Sequence, residues 1–334
     1  MENTLFPVRY SQLDANALKN ELTKRYELRD PVRCRFFDFG MNDIYVVKAG
    51  AETLFLRISL AKMHQQRDYA EEVSIINALR ENGVHAVVPV RCRDGQYIWE
   101  IAAPEGQRFA VLFKEVMNTP SEDEVQKAYN LGLMLARIHG IADTLDFTVS
   151  RAPIDLEQLS KKPLALLKSH LAHRPADYEY LCGAAKTLAD RVHANLDQSK
   201  PFFGFCHGDV HTGNVYFQGD EPEIFDFDCM GYGWRAYDLS VFLWNELRND
   251  ESYIESDAWK SYLAGYNAER QLTEMELAFI HDFTALRQLW LMGIHADVME
   301  INAGCCWFND DYFDEEIRIF KMFYARSSAA AHSA

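Results

Sequence analysis

Four oxygen-bearing side chains lie close together in one short stretch: Asp209 and Asn214 in His207-Gly208-Asp209-Val210-His211-Thr212-Gly213-Asn214, then Asp226 and Asp228 in the strand-like Glu223-Ile224-Phe225-Asp226-Phe227-Asp228. A carboxylate can accept the proton of an attacking hydroxyl. A carboxamide with a second carboxylate offers the hard oxygen ligands that Mg²⁺ prefers, the ion keeping several of its waters. That division of labour suits phosphoryl transfer, whose loose transition state asks for positioning and countercharge more than for covalent chemistry. The spacing His-x-Asp-x-x-x-x-Asn with a later Asp-Phe is that of a phosphoryl-transfer loop. It makes Asp209 the candidate base, Asn214 and Asp226 candidate metal ligands, His207 a brace for the loop and Asp228 an added carboxylate for the metals. The same residues would suit a plain Asp/Asn/Gly-rich turn between strands. Against that stand the flanking apolar runs Gly204-Phe205-Cys206 and Val215-Tyr216-Phe217, and the turn signal Gln218-Gly219-Asp220-Glu221-Pro222, which set the loop between rigid strands.

His207-Gly208-Asp209, Asn214, Asp226 and the downstream Tyr237-Asp238-Leu239-Ser240 resemble the aminoglycoside phosphotransferase and choline kinase superfamily, in which Gly replaces the Arg of the protein-kinase loop. Asp228 in the third position of Asp-Phe-Gly, an Asp-Leu pair that in the family caps the next helix, and Leu131-Gly132-Leu133-Met134-Leu135-Ala136-Arg137-Ile138-His139 extend the resemblance over most of the chain. It implies a bilobal, protein-kinase-like α+β fold: a small antiparallel-sheet nucleotide lobe at 1–115, a larger and mainly helical catalytic lobe at 116–326, and a flexible Ala/Ser-rich tail at 327–334. ATP and Mg²⁺ are the implied cofactors. The homoserine-kinase-like and bacterial stress-response-kinase-like branches look closest. The expected activity is therefore transfer of the γ-phosphate to a hydroxyl of a small amine-bearing molecule: an amino alcohol, a hydroxy amino acid or an aminoglycoside. Ser/Thr phosphorylation of proteins is the enzymatic alternative, and a nucleotide-binding pseudokinase module the non-enzymatic one.

The elements that must hold the nucleotide come first in the chain. Ile44–Val47 and Thr53–Ile58 are β-rich runs joined by the hairpin signal Lys48-Ala49-Gly50-Ala51-Glu52. Phe39-Gly40-Met41-Asn42-Asp43 resembles the family's phosphate-covering loop, with Asn42 ahead of an apolar-aromatic pair. By the same resemblance Arg57 reaches the phosphates and pairs with a helix glutamate; its planar fork suits phosphate. A helix over Asp68–Glu81, closed by Asn82-Gly83, offers Glu72 as that partner, with Glu71 the competitor. Phe109–Phe113 reads as a buried strand. Lys114-Glu115-Val116-Met117-Asn118 is by resemblance the connection where adenine meets backbone groups, which makes Glu115 and Val116 cofactor-binding. Helical spacing runs from Glu122 to His139, where His139 reads as a structural histidine.

Composition excludes several classes. A net charge of −16 argues against a nucleic-acid partner, which calls for a basic face. The opening residues are charged without an apolar run, so neither a signal peptide nor a membrane anchor is expected and the location expected is the cytoplasm. Seven scattered cysteines without Cys-x-x-Cys spacing give no disulfide framework and no zinc site. Acidity is concentrated late, with 16 Asp/Glu against 5 Lys/Arg in residues 241–320. This suits either a cationic acceptor or a solvated surface. Trp244, Trp290, Asp297 and Glu300 offer aromatic faces and carboxylates to an ammonium group, although such aromatics also build helix cores. Arg287 matches an Arg that recurs in relatives beneath the site and suits a substrate carboxylate or an internal ion pair.

Overall fold

The computed structural model describes residues 6–299 and 306–333. The fold is the expected α+β. It divides into two compact units, one reaching Met117 and including Thr148–Ser150, the other formed by Asn118–Phe147 and the chain from Arg151 onward.

In the first unit, α1 (Ala15–Arg25) begins at Asp14, whose carboxylate accepts from the Ala17 N–H, and β1 (Val32–Phe39), β2 (Asn42–Ala49) and β3 (Glu52–Ser59) follow as a meander. α2 (Gln66–Glu81) leads to β4 (Ile98–Ala103) and β5 (Gly106–Lys114), and the antiparallel sheet has the order β1-β2-β3-β5-β4. Alternation along β3 and β5 decides which side chains go where. Leu54, Leu56 and Ile58, with Ala110 and Leu112, join Leu18 and Leu22 of α1 and Tyr26 just after it in one buried cluster. The intervening residues point the other way. There Phe109 meets Tyr69 of α2 with ring centroids 5.6 Å apart. Arg57 emerges on that same face.

The second unit opens with β6 (Thr119–Pro120) and α3 (Glu124–Leu145), started by Asp123 accepting from the Gln126 N–H. After α4 (Lys162–His170) and α5 (Pro175–Asn195) come β7 (Phe203–Cys206), β8 (Val215–Gly219), β9 (Glu221–Ile224) and β10 (Gly231–Trp234). β7 pairs with β10, and β8 lies between β6 and β9, so the loop after Cys206 leaves one small sheet and enters another. The turn expected over Gln218–Pro222 is tighter than that, because both flanking strands extend into it. The expected strand Glu223–Asp228 ends at Ile224, and a single 3₁₀ turn at Phe227–Cys229 follows. α6 (Arg235–Asn249), α7 (Asp257–Glu269), α8 (Glu274–Val298) and α9 (Asp310–Ser333) complete the unit.

The flexible tail expected from Ser327 is instead part of α9 through Ser333. Ser327 is fully buried and donates to Asp282 of α8 at 2.6 Å. Composition misled here, since Ala and Ser are good enough helix formers once one face is packed. Among the described residues no helix is long and apolar enough to cross a membrane, and Cys34, Cys92, Cys182, Cys206, Cys229 and Cys306 are free thiols.

α3 and α7 cross backbone to backbone. A Cβ on Gly132 would stand 2.0 Å from the Tyr262 carbonyl oxygen, and one on Gly265 1.9 Å from that of Tyr129, so each helix presents a glycine to the other's main chain. Gly132→Ala or Gly265→Ala is expected to force the helices apart and to lower the thermal midpoint by about 5 °C or more. A thermal-shift or circular-dichroism melt superimposable on wild type would show that the crossing is not tight in solution.

Candidate active site

The loop that carries the motif hangs from one carboxylate. The N–H groups of His207 and Gly208 donate to Asp238 at 2.8 and 2.7 Å. Asp238 lies in the first turn of α6, where an anion is also favoured by the helix dipole. Behind it, His139 Nε2 is 3.0 Å from the same carboxylate and His139 Nδ1 is 2.8 Å from the Tyr266 hydroxyl, all of them buried. Burial raises the Asp238 carboxyl, opposed by His207 and the two N–H donors. Burial, then the charges of Arg235 and Arg270, push His139 well below the usual histidine range. A neutral ring beside a carboxylate carries its proton on Nε2, which leaves Nδ1 to accept from Tyr266. Gly208 sits at φ +84°, and a Cβ there would lie 2.1 Å from the Cys229 carbonyl oxygen, so no side chain fits at this point of the motif.

Asp209 is held from two sides. The Asn214 amide nitrogen donates to its carbonyl and to Oδ2, both at 3.0 Å, and Arg287 of α8 donates to Oδ1. His211 Nε2 lies 3.6 Å from Oδ1. Burial by itself would raise this carboxyl, but Arg287, His211 and His207 hold it well below the usual carboxylate range. His207 braces the loop. Its Nδ1 accepts from the Asp209 N–H at 3.2 Å, its Nε2 meets the Phe225 carbonyl at 3.2 Å, and its ring lies against Phe227 at 4.4 Å.

The donor set fits a hard divalent cation. Asn214 spends its amide nitrogen on Asp209, which leaves Oδ1 as the atom that could meet a metal. Asp226 is exposed and stands at φ 62°, a left-handed conformation uncommon for a non-glycine residue and often met at functional sites. Asp228 departs from expectation. It is buried with Arg151, which lies 3.5 Å from its carboxylate and donates to the Phe227 and Asp228 carbonyls at 2.7 and 2.8 Å. This carboxylate lies against the Arg151 that ties down the turn behind Asp226.

Of the residues expected to meet an acceptor, Trp244 and Trp290 gather around Arg287, which itself holds Asp209. The Arg287 guanidinium carbon is 4.9 Å from the Trp244 ring and 4.2 Å from the Trp290 ring. Trp244 is buried, donates to Gln288 at 2.9 Å and also has Arg248 over its ring at 5.3 Å. Its ring therefore already has two protein cations beside it. Asp297 is exposed near the end of α8, and Glu300 lies outside the described residues. Much of the late acidity is structural. Glu316 pairs with Arg248, Asp310 with His173, Asp314 with Arg174 and Glu315 with Arg318, while Glu276 closes the capping box of α8.

The first unit carries the nucleotide candidates. Arg57 Nη2 is 2.7 Å from Glu72 of α2, both buried, with Tyr69 and Phe113 rings 5.7 and 5.2 Å from its guanidinium. Glu71 instead accepts from the Ser150 N–H and hydroxyl at 2.7 and 2.6 Å, so Glu72 is the partner. Asn42 is buried at the start of β2, and its carbonyl accepts from the Gly40 N–H at 3.0 Å to close the turn. Glu115 is exposed with its N–H on the Thr53 carbonyl at 3.2 Å, and Val116 is half-buried.

Residues 38–278 match the model of the phosphotransferase enzyme family. The chain belongs to that family. It is an ATP-dependent phosphotransferase. It is 32% identical to an uncharacterized protein of Synechocystis over 89% of its own length and 82% of that protein's. Its fold is similar to that of an amicoumacin kinase solved in complex with AMP-PNP, Ca²⁺ and Ami, at a TM-score of 0.73 and 20% identity over 94% of each chain. It is also similar to a microcompartment-associated aminopropanol kinase, at a TM-score of 0.70 and 21% identity over 96% of this chain and 98% of that one.

Sequence reasoning overlooked three side chains of this phosphotransferase site. His211 was visible inside the motif itself, two residues past Asp209. Arg151 and Gln288 had no local signal, because each acts on residues distant in sequence. The role of His139 was legible only as a buried histidine. Replacing Asp238 by Asn keeps one acceptor but turns an NH₂ toward a backbone donor, so kcat is expected to fall by roughly 10- to 100-fold with a lowered melting temperature. Wild-type turnover in that variant would mean that the loop is held by other contacts.

Proposed function

We propose that this phosphotransferase moves the γ-phosphate of ATP to a hydroxyl of a small amine-bearing molecule, with amino alcohols and hydroxy amino acids the leading class and aminoglycosides the larger members. The observation that supports the reading is the fixation of Asp209 by Asn214 and Arg287, which holds a carboxylate able to accept a hydroxyl proton beside a carboxamide oxygen able to ligate a metal. Asp209 orients the hydroxyl and takes its proton as the new O–P bond forms and the bond from γ-phosphorus to the bridging oxygen of ADP breaks. Held so acidic, it acts as an orienting acceptor that takes the proton late, in keeping with a loose transition state. Asn214 and Asp226 would hold Mg²⁺, which when bound supplies countercharge to the transferring phosphoryl group. Arg57, fixed by Glu72, is assigned to the nucleotide phosphates; its bidentate fork suits that task. The amine on the acceptor is supported by the aminopropanol kinase among the structural neighbours and by the resemblance to homoserine-kinase-like sequences.

An ADP-release screen over 1-aminopropan-2-ol, ethanolamine, L-homoserine, kanamycin and Ser/Thr peptides is expected to show Mg²⁺-dependent turnover with an amine-bearing alcohol. Turnover with peptides alone would overturn the acceptor class. With the acceptor in hand, Asp209→Asn should lower kcat by about 100-fold or more while ATP binding changes little. Asp226→Ala should abolish the Mg²⁺ dependence of ATP binding measured by calorimetry, and an unaltered dependence would move the metal elsewhere.

A further inference from the structure

Arg287 is only 3% exposed. One of its terminal nitrogens donates to Asp209 Oδ1, and the other lies 3.3 Å from the Gly208 carbonyl and 3.2 Å from the Tyr237 hydroxyl. The indoles of Trp244 and Trp290 both pack against its guanidinium, with centroids 4.9 and 4.2 Å from the central carbon. Trp244 is itself fixed through Gln288, whose amide donates to Glu316 at 2.5 Å, and Glu316 is held by both terminal nitrogens of Arg248 at 2.7 and 3.0 Å. A chain of side chains from α9 through α8 and α6 thus ends on the carboxylate of the base.

We infer that Arg287 is a positioning residue for Asp209 and is not a ligand for the acceptor. This rests on the reading of Asp209 as the base. A carboxylate on a short side chain has one main freedom, rotation about its own bonds. Here Asn214 fixes Oδ2 and Arg287 fixes Oδ1, so both oxygens are pinned from opposite sides. The same guanidinium grips the carbonyl of Gly208, which ties the carboxylate to the turn that carries it. Arg can do this because its donors form a rigid planar fork, whereas Lys offers a point charge without the second contact. Buried, packed against two indoles and with both terminal nitrogens engaged, Arg287 presents no approach to an acceptor's carboxylate or hydroxyl. Its contribution is geometry at the reacting oxygen, where displacement by about 1 Å can cost roughly 100-fold in rate.

The test compares Arg287→Met, Arg287→Lys, Asp209→Asn and the double variant Asp209→Asn/Arg287→Met in the full chain, each checked for folding by circular dichroism. The probe is Mg·ATP with whichever of 1-aminopropan-2-ol, ethanolamine, L-homoserine or kanamycin wild type turns over fastest, or with water as acceptor if none is used. Arg287→Met is expected to lose about 30- to 100-fold in kcat and Arg287→Lys about 10-fold, with KM for the acceptor within about threefold of wild type. Because both residues act through one carboxylate, the double variant should be no slower than Asp209→Asn alone within about threefold. A rise in acceptor KM with kcat held would make Arg287 a ligand, and losses that multiply would make it act elsewhere; either overturns the inference. If Asp209→Asn itself turns over like wild type, the assignment of the base fails; if it is crippled while both Arg287 variants are normal, the inference alone fails. Should Arg287→Met not fold, Arg287→Lys and Trp290→Leu decide the matter: kcat lowered with acceptor KM unmoved supports positioning, and unchanged kcat refutes it.

Discussion

The backbone N–H groups of His207 and Gly208 both end on the Asp238 carboxylate, and the geometry of everything downstream in the motif depends on that attachment. A buried carboxylate is costly unless its lone pairs are met. Asp238 meets them with two loop amides and one imidazole N–H, and the imidazole is in turn satisfied by the Tyr266 hydroxyl. α3, α6 and α7 each contribute a member of this chain, so the packing of three helices fixes the level of one loop. The α3–α7 glycine contacts let two of those helices approach closely enough for Tyr266 to reach His139.

Once the loop is attached, each acidic residue acquires a different task from its surroundings. Asp209 is an ionised carboxylate pinned by Asn214 and Arg287, Asp226 is turned outward by a left-handed backbone, and Asp228 is buried against Arg151. Three aspartates of one chemical type thus stand in three different settings: pinned between donors, turned outward, and buried against an arginine. Partners and exposure make the distinction, not the spacing of the motif.

Charge placement follows the same logic in the late helices. An acidic stretch beside a catalytic motif suggests attraction of a cationic acceptor, yet Glu316, Asp310, Asp314 and Glu315 are occupied by Arg or His partners, and Glu276 caps its helix. Pairs on exposed helix faces contribute little individually. The Glu316–Arg248 pair differs because it continues through Gln288 to Trp244, so its effect reaches the site as position and not as field.

The sequence by itself determined the motif, the α+β order and the faces of the elements. His207, Asp209, Asn214 and Asp226 are close neighbours in the chain, and their spacing constrains a loop whatever surrounds it. Period-two alternation likewise put Arg57 opposite Leu56 and Ile58, which is why its face of the sheet was foreseeable. What only the tertiary structure decided were the contacts between residues far apart in sequence: Glu72 over Glu71 for Arg57, Arg151 for Asp228, Arg287 for Asp209, and Asp282 for Ser327 within a helix that composition had assigned to a loose tail. Adjacent glutamates on a helix point about 100° apart, and only the docking of the helix selects one of them. A buried arginine and a surface arginine look alike in sequence, because burial is a property of the neighbours that folding brings to them.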